Sequence, residues 1–459
     1  MSPLPPIERH IEVTHLYQPD GWLDHVFLEL DAGGKIVSAH RQRPPEWPGG
    51  ASRLSGFVIP GIPNVHSHAF QRALVGRSEA ACPERNDSFW TWRLRMYELA
   101  LRLAPSQVEA IAAQLYVELL ESGFTSVGEF HYLHHDPRGQ PYAQRAELGE
   151  RIQAAAHATG VALTHLPVLY LQGGFDTEPH VEQRRFVHDS VDDFMQTWSA
   201  FRATGRTVVG AAPHSLRAVP PRALEQLSEL ASGPLHIHIA EQEREVAEAL
   251  ARLGARPLRW LFDQLEVNER WCLIHATWCD SDELLALAQS GATAGLCPTT
   301  EANLGDGVFP TRDFLAAGGA LAVGTDSHVG SDPAEELRWL ELQQRLSQRA
   351  RNVLATPGEP HPARALLNHA VTHGSRALGQ PAGQLTPGNL ADFLVLDSEH
   401  PRLWGHSTET VLDAWVFGAS ARCVSEVFVG GRRVVSQGRH FARERIFTSY
   451  TRALRELWP

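Results

Sequence analysis

Between residues 57 and 327 the chain alternates short apolar runs with segments of helical periodicity. The runs are FVIPGIPNV (57–65), FTSVGEF (124–130), VALTHLPVLY (161–170), TVVGAAPH (207–214), PLHIHIA (234–240), WCLIHAT (271–277), TAGLCPTT (293–300) and LAVGTDS (321–327). Near-continuous apolar runs separated by helices predict parallel strands buried on both faces. Eight of them predict an α/β fold, a (β/α)8 TIM-like barrel over 57–380. The chain ends carry a different pattern. Residues 1–56 set short runs (IEVTHLY, WLDHVFLEL, KIVSAH) between Gly and Pro turns, as in antiparallel β-structure. The pattern resumes in LTPGNLADFLVLD, AWVFGA and VSEVFVGGRRVV, where Gly430-Gly431 separates two β-rich runs like a hairpin turn. These ends predict a small discontinuous β-sandwich domain from 1–56 and 381–440. A C-terminal helix within 441–459, from Ala442 to Leu457, follows.

Composition narrows the function classes. The apolar content of 43% is that of an ordinary globular protein. No stretch reaches the roughly 18 uninterrupted apolar residues of a membrane helix. The start, MSPLPPIERHIEVTH, lacks a basic segment followed by an apolar core, so no signal peptide is expected. Five widely spaced cysteines (Cys82, Cys272, Cys279, Cys297, Cys423), with no CxxC pair, read as reduced thiols of a cytoplasmic protein. A net charge of −12 without a basic cluster argues against nucleic acid as a partner. The only lysine is Lys35, before the predicted barrel.

The chemistry lies at the ends of the apolar runs. His66 and His68 close the first run, and alternate strand residues share a face, so both imidazoles can reach one ion. Alone, such a triplet also fits two hydrogen-bonded core histidines. Further runs end in His238, His275 and Asp326. Barrel chemistry belongs at strand C-termini. His66, His68, His238 and Asp326 make a ligand set for a divalent metal with an open position for water. His236 shares the face of His238 but sits deeper, as a packing residue. Glu241 has the opposite parity to His238 and reaches the same place only if the strand ends near Ala240 and the chain turns. It would then move a proton from water to a leaving nitrogen; otherwise it is an acidic first-turn residue favoured by the helix dipole. His275 would orient the water and Asp326 accept its proton.

HxH, HxxE after the fifth strand, His after the sixth and Asp after the eighth resemble the amidohydrolase superfamily, in its mononuclear deaminase branch. Closer still, PGIPNVHSHAFQRAL, GEFHYLHHD, PHSLRAV, HIHIAEQ, LIHATW, TTEANLGDG and GTDSHV together resemble the formimidoylglutamate deiminase family of histidine degradation. The resemblance covers about residues 57 to 345 and, more weakly, the β-domain. It implies hydrolysis of N-formimidoyl-L-glutamate to N-formyl-L-glutamate and ammonia through a metal-activated water. One divalent metal per chain is implied: binuclear relatives often bridge two ions with a barrel lysine, and Lys35 cannot serve. Zinc is the default, with iron and manganese as alternatives. The implied substrate is a small dianionic amidine held by Gln71, Arg93, Tyr132, His214 and Arg217, with Arg93 favoured over Arg95. A guanidinium fork suits a carboxylate. A homodimer is implied too. The alternative is a related deaminase acting on another formimidoyl amino acid or a nucleobase-like ring, which would need ring-stacking groups. His131, His134 and His135 receive no role.

Overall fold

Two kinds of sheet emerge from the two hydrophobic patterns. The computed structural model describes residues 3–45, 47, 50–81 and 87–458, so Cys82 lies outside the described residues. At the N-terminal end are β1 (His10–Gln18), β2 (Gly21–Leu30), β3 (Ile36–His40) and β4 (Ser52–Pro60). The middle carries β5 (Ile62–Ser67), β6 (Phe124–His131), β7 (Ala162–Leu169), β8 (Thr207–Val209), β9 (Ala212–Pro213) and β10 (Leu235–Ile239). It continues with β11 (Trp271–His275), β12 (Thr293–Leu296) and β13 (Ala320–Val323). The C-terminal end supplies β14 (Phe393–Leu396), β15 (Val424–Val429), β16 (Arg432–Ser436) and β17 (Arg439–His440).

Both ends build one sheet, in the order β17-β16-β15-β14-β4-β1-β2-β3. Antiparallel pairing of Phe57–Pro60 in β4 with Phe393–Leu396 in β14 welds the halves edge to edge. A sandwich needs two sheets, and these strands form one hydrogen-bonded sheet. Gly430 and Gly431 adopt φ of 55° and 70° at the β15–β16 hairpin, the left-handed pair such a turn demands. The final helix is Arg443–Leu457 with Ala442 as its cap.

The middle strands are parallel. β5, β6, β7 and β8 pair in that order, β9 also pairs with β7, and β10 to β13 form a second parallel sheet. Isolated bridges join the two: Ala211–Leu235 and Ser215–His238 at one edge, Ser67–Asp326 at the other. The protein thus has parallel sheets interleaved with helices in a mixed α/β arrangement. FVIPGIPNV, which reads as one strand, is divided between β4 and β5 at Gly61, where the chain passes from one sheet to the other. A Cβ at Gly61 would lie 2.3 Å from the Thr125 side chain, so the crossing requires glycine. TAGLCPTT stops being a strand at Leu296 because Pro298 opens the helix Pro298–Leu304. Among the described residues, no helix is long and apolar enough to cross a membrane. Cys272, Cys279, Cys297 and Cys423 are all free thiols.

Candidate active site

The C-terminal ends of β5, β10, β11 and β13 converge. His66 Nε2 lies 3.0 Å from His238 Nε2, and Asp326 Oδ1 is 3.6 Å from His66 Nε2 and 3.3 Å from His68 Nε2. His275 Nε2 faces Asp326 Oδ2 at 3.7 Å and Glu241 Oε1 at 3.8 Å. The chain turns sharply to achieve this. Ala240, His275, Ala276 and Asp326 hold φ of 49°, 69°, 49° and 46°, a left-handed region in which non-glycine residues are costly. Such strain concentrates at functional sites because the surrounding structure over-determines it. It also answers the parity of Glu241: β10 ends at Ile239, Ala240 reverses the chain, and Glu241 enters the cluster. Buried Glu245 braces that turn, accepting from the amides of Ala240 and Glu241 at 3.2 Å each.

The histidines are arranged as metal ligands are. A carbonyl can only accept, so His68 Nδ1–H donates to Phe130 O (2.9 Å) and His238 Nδ1–H to His214 O (3.1 Å). A neutral ring has one N–H, which leaves a lone pair on each Nε2 pointing into the cluster. Burial drives His66 and His238 well below the ordinary histidine range and His68 down to about 3, so all three rings are neutral, the form that ligates. Among the described residues, the buried Nε2 of His275 has no hydrogen-bond partner. Ligand atoms of His66, His68 and Asp326 lie within 4.8 Å of one another, as do those of His66, His238 and His275. A cation shared by these lone pairs fits the donor set. His275 behaves differently: burial opposes its charge, but Glu241, the 3.2 Å bond from Nδ1 to Glu301 and Asp326 outweigh it and raise the ring to about 10.

Beside the cluster opens a cavity of ≈ 50 Å³. His68, His238, Glu241 and Asp326 line its floor, while Gln71, Arg93, Tyr132, His214 and Arg217 line its walls. Arg95 is exposed. Gln71 Nε2 donates to the Tyr132 hydroxyl at 2.7 Å, and its own buried Oε1 is unpartnered among the described residues. Arg217 is buried and faces two carboxylates, Glu241 at 3.4 Å and Glu245 at 3.5 Å. Burial raises both glutamates; Arg217 pulls both back, joined at Glu241 by the stronger pull of His275. His236 donates or accepts nothing in the cluster; its Nε2 bonds Ala377 O at 2.9 Å. His134 and His135 bond the carbonyls of Val168 and Val187, and His131 packs near His165. None of these three lines the cavity.

Several further residues, unmarked by any motif, complete the site. Tyr97, Tyr170 and Phe186 line the cavity, and buried Gln183 bonds both phenols, at 3.1 and 2.6 Å. Tyr97 follows Arg93 by one helical turn, a spacing that marks a shared face. Glu245 stands one turn after Glu241 but reads as an ordinary helix start. Glu301 lies within the TTEANLGDG segment, one position after a strand-like run, with nothing in its spacing to pair it with His275.

Residues 57–434 match the Amidohydrolase family. Over 447 residues the chain is 48% identical to the formimidoylglutamate deiminase of Pseudomonas aeruginosa, covering 96% of this chain and 97% of that protein. A crystal structure of an amidohydrolase from Brucella melitensis aligns over 98% of this chain and 100% of its own, with 43% identity and a TM-score of 0.90. An adenosine deaminase from Xanthomonas campestris, crystallised with bound zinc, shares the fold at a TM-score of 0.77 and 20% identity, over 99% of this chain and 100% of its own.

Proposed function

Because the chain belongs to the amidohydrolase family, we propose that it hydrolyses N-formimidoyl-L-glutamate to N-formyl-L-glutamate and ammonia, a step of histidine degradation. One observation carries the reading: a cation-competent histidine–aspartate cluster and Glu241 share a cavity with two arginines, Arg93 and Arg217. Water adds to the formimidoyl carbon, the bond to the terminal nitrogen breaks, and the water protons leave with ammonia. A divalent cation, when bound, supplies Lewis acidity and acidifies water. His66, His68, His238 and Asp326 would hold it. Glu241 carries the proton to the departing nitrogen, and Glu301 fixes the ring of His275 so that Nε2 addresses Glu241 and Asp326. Arg93 and Arg217 receive carboxylate, and the hydroxyl of Tyr132 with His214 and Gln71 completes the polar wall.

The choice of broken bond follows from orientation. The nitrogen that Glu241 protonates becomes the leaving group. With carboxylates held at the arginine wall, the terminal nitrogen lies deepest, beside Glu241. NMR of the products is expected to give ammonia and N-formyl-L-glutamate in equal amounts; formamide with free glutamate would mean that the substrate lies the other way round.

One divalent ion per chain, by default zinc, is the expected metal content. Lys35 pairs with Leu390 in an isolated bridge outside the parallel strands, which supports a single-ion site. Elemental analysis of active enzyme finding two tightly held ions would refute this. The same reading divides the chain into a barrel over 57–380, a β-domain from 1–56 and 381–440, and a helix within 441–459. The bridges that join the parallel sheets at both edges support the barrel. It also makes the enzyme a cytoplasmic homodimer that engages neither nucleic acid nor membrane.

A second reading has its own support. Phe89, Trp92, Tyr97, Tyr132, Tyr170 and Phe186 line the cavity, ring-stacking groups that a deaminase of a nucleobase-like ring would use. A neutral ring, however, offers no anion to the arginines. An ammonia-release assay across formimidoyl amino acids, guanine and cytosine separates the two: turnover of a ring alone would replace the first reading with the second.

A further inference from the structure

Arg93 and Arg217 line a second chamber as well, of ≈ 230 Å³, beside the first. Its remaining wall includes Trp90, the Gly173–Gly174 turn, Arg244 and Arg252. Trp90 is the centre of a guanidinium cluster. Arg244 lies 4.4 Å from its ring centroid, Arg93 4.6 Å and Arg217 5.9 Å. Cations over an indole face are attracted to it, but three like charges around one ring repel one another. Their neutralisation is uneven. Arg217 has Glu241 and Glu245, whereas among the described residues Arg244 has Glu248 alone at 2.6 Å, one helical turn away and solvent-exposed on the arginine side. Among the described residues, the buried Nε of Arg93 has no hydrogen-bond partner. In a chain of net charge −12, four arginines line this chamber against one carboxylate, that of Glu248. A concave positive site with low-dielectric walls concentrates anions.

We propose that the outer chamber is an anion-holding station for a dicarboxylate, with Arg244 and Arg93 flanking Trp90 as its receiving groups. It adjoins the inner cavity, since Arg93 and Arg217 belong to both walls. An incoming carboxylate engages Arg244 and Arg93 first and passes to Arg217. Gln183 ties the two chambers together: its Oε1 accepts from the amide of His180 in the outer wall at 2.8 Å, while its Nε2 holds Tyr170 and Tyr97 of the inner one. As a step in capturing the substrate, the station rests on the deiminase reading; as an anion site it stands without it.

The test uses glutarate, a dianion without an amidine, added to the metal-loaded enzyme. Tryptophan emission is recorded for wild type and for Trp90→Phe, so that the difference isolates the outer chamber. A Trp90-dependent signal that saturates is expected. Arg244→Gln is expected to weaken the glutarate affinity so measured about tenfold, Arg244→Lys to restore part of it, and Arg259→Gln, an exposed helical arginine outside the chamber, to change nothing. With N-formimidoyl-L-glutamate, Arg244→Gln should lower kcat/KM about as much at low salt, flatten its dependence on ionic strength and leave kcat unchanged. No Trp90-dependent signal, or equal affinity in Arg244→Gln, overturns the station even if wild type deiminates the substrate. Arg244-dependent glutarate binding in an enzyme that releases no ammonia from that substrate keeps the station and removes the deiminase reading instead.

Discussion

Glu241→Gln is expected to lower turnover by about three orders of magnitude while leaving fold and metal content intact. Proton transfer by a positioned carboxylate contributes on the order of 10²–10⁴ in rate. Glutamine preserves shape and volume at a buried position but can neither take nor give up that proton. The surroundings tolerate the change. The amide of residue 241 still donates to Glu245, and Arg217 keeps Glu245 as a counter-charge at 3.5 Å. The rings of His68 and His238 are anchored through Nδ1 to the carbonyls of Phe130 and His214, and neither anchor involves Glu241. Turnover, elemental analysis and a melting curve on one preparation check all three expectations. A variant with near wild-type turnover would exclude Glu241 as the proton carrier, whereas one that has also lost metal would make it a ligand.

The positions of the metal-competent residues were legible because each ends an apolar run, and strand ends are where a parallel α/β protein exposes side chains. His66 and His68 needed only the two-residue period. Glu241 was legible conditionally, since its parity demanded a turn whose existence rests on Ala240 adopting a left-handed backbone. Nothing in an alanine announces that; it is imposed by Glu245 bracing the turn and by packing around it. The same holds for His275 and Asp326, whose positive φ values are tertiary demands overriding local preference.

What escaped the sequence is what depends on long-range contact. The break at Gly61 lies within an uninterrupted apolar run, and only the approach of Thr125 and the pairing of β4 with β14 reveal it. The rest of the aromatic wall draws Phe89, Trp92, Tyr97, Tyr170 and Phe186 from three separate segments, and each is an ordinary apolar residue in its local context. Arg217 reads as a free guanidinium awaiting an anion; in the structure it already faces Glu241 and Glu245.

That pairing enlarges what Arg217→Met should do. Losing a charge-assisted contact while the partner charge stays buried costs on the order of 2–5 kcal/mol, so kcat/KM is expected to fall by at least roughly 30-fold. Substrate capture accounts for only part of this, because Glu241 loses a neighbour that stabilises its ionised form. The remainder appears as a fall in kcat. Stability should fall as well, since removing one member of a buried ionic cluster leaves the others uncompensated. Burial already raises Glu245 and Glu241, and Arg217 is among the groups pulling them down, so both rise further in the variant. A carboxyl whose folded pKa exceeds its unfolded value near 4.5 binds more protons folded than unfolded above that pH. Stability then falls as pH rises through that window. The deficit of the variant against wild type is therefore expected to be small near pH 4.5, to grow with pH and to level off once both groups ionise. Thermal melts of the two proteins across pH measure it directly. Arg217→Lys, which keeps the charge but not the fork, should recover most of the stability and little of the substrate affinity. Equal recovery of both would mean that Arg217 serves as a counter-charge alone and does not grip a carboxylate.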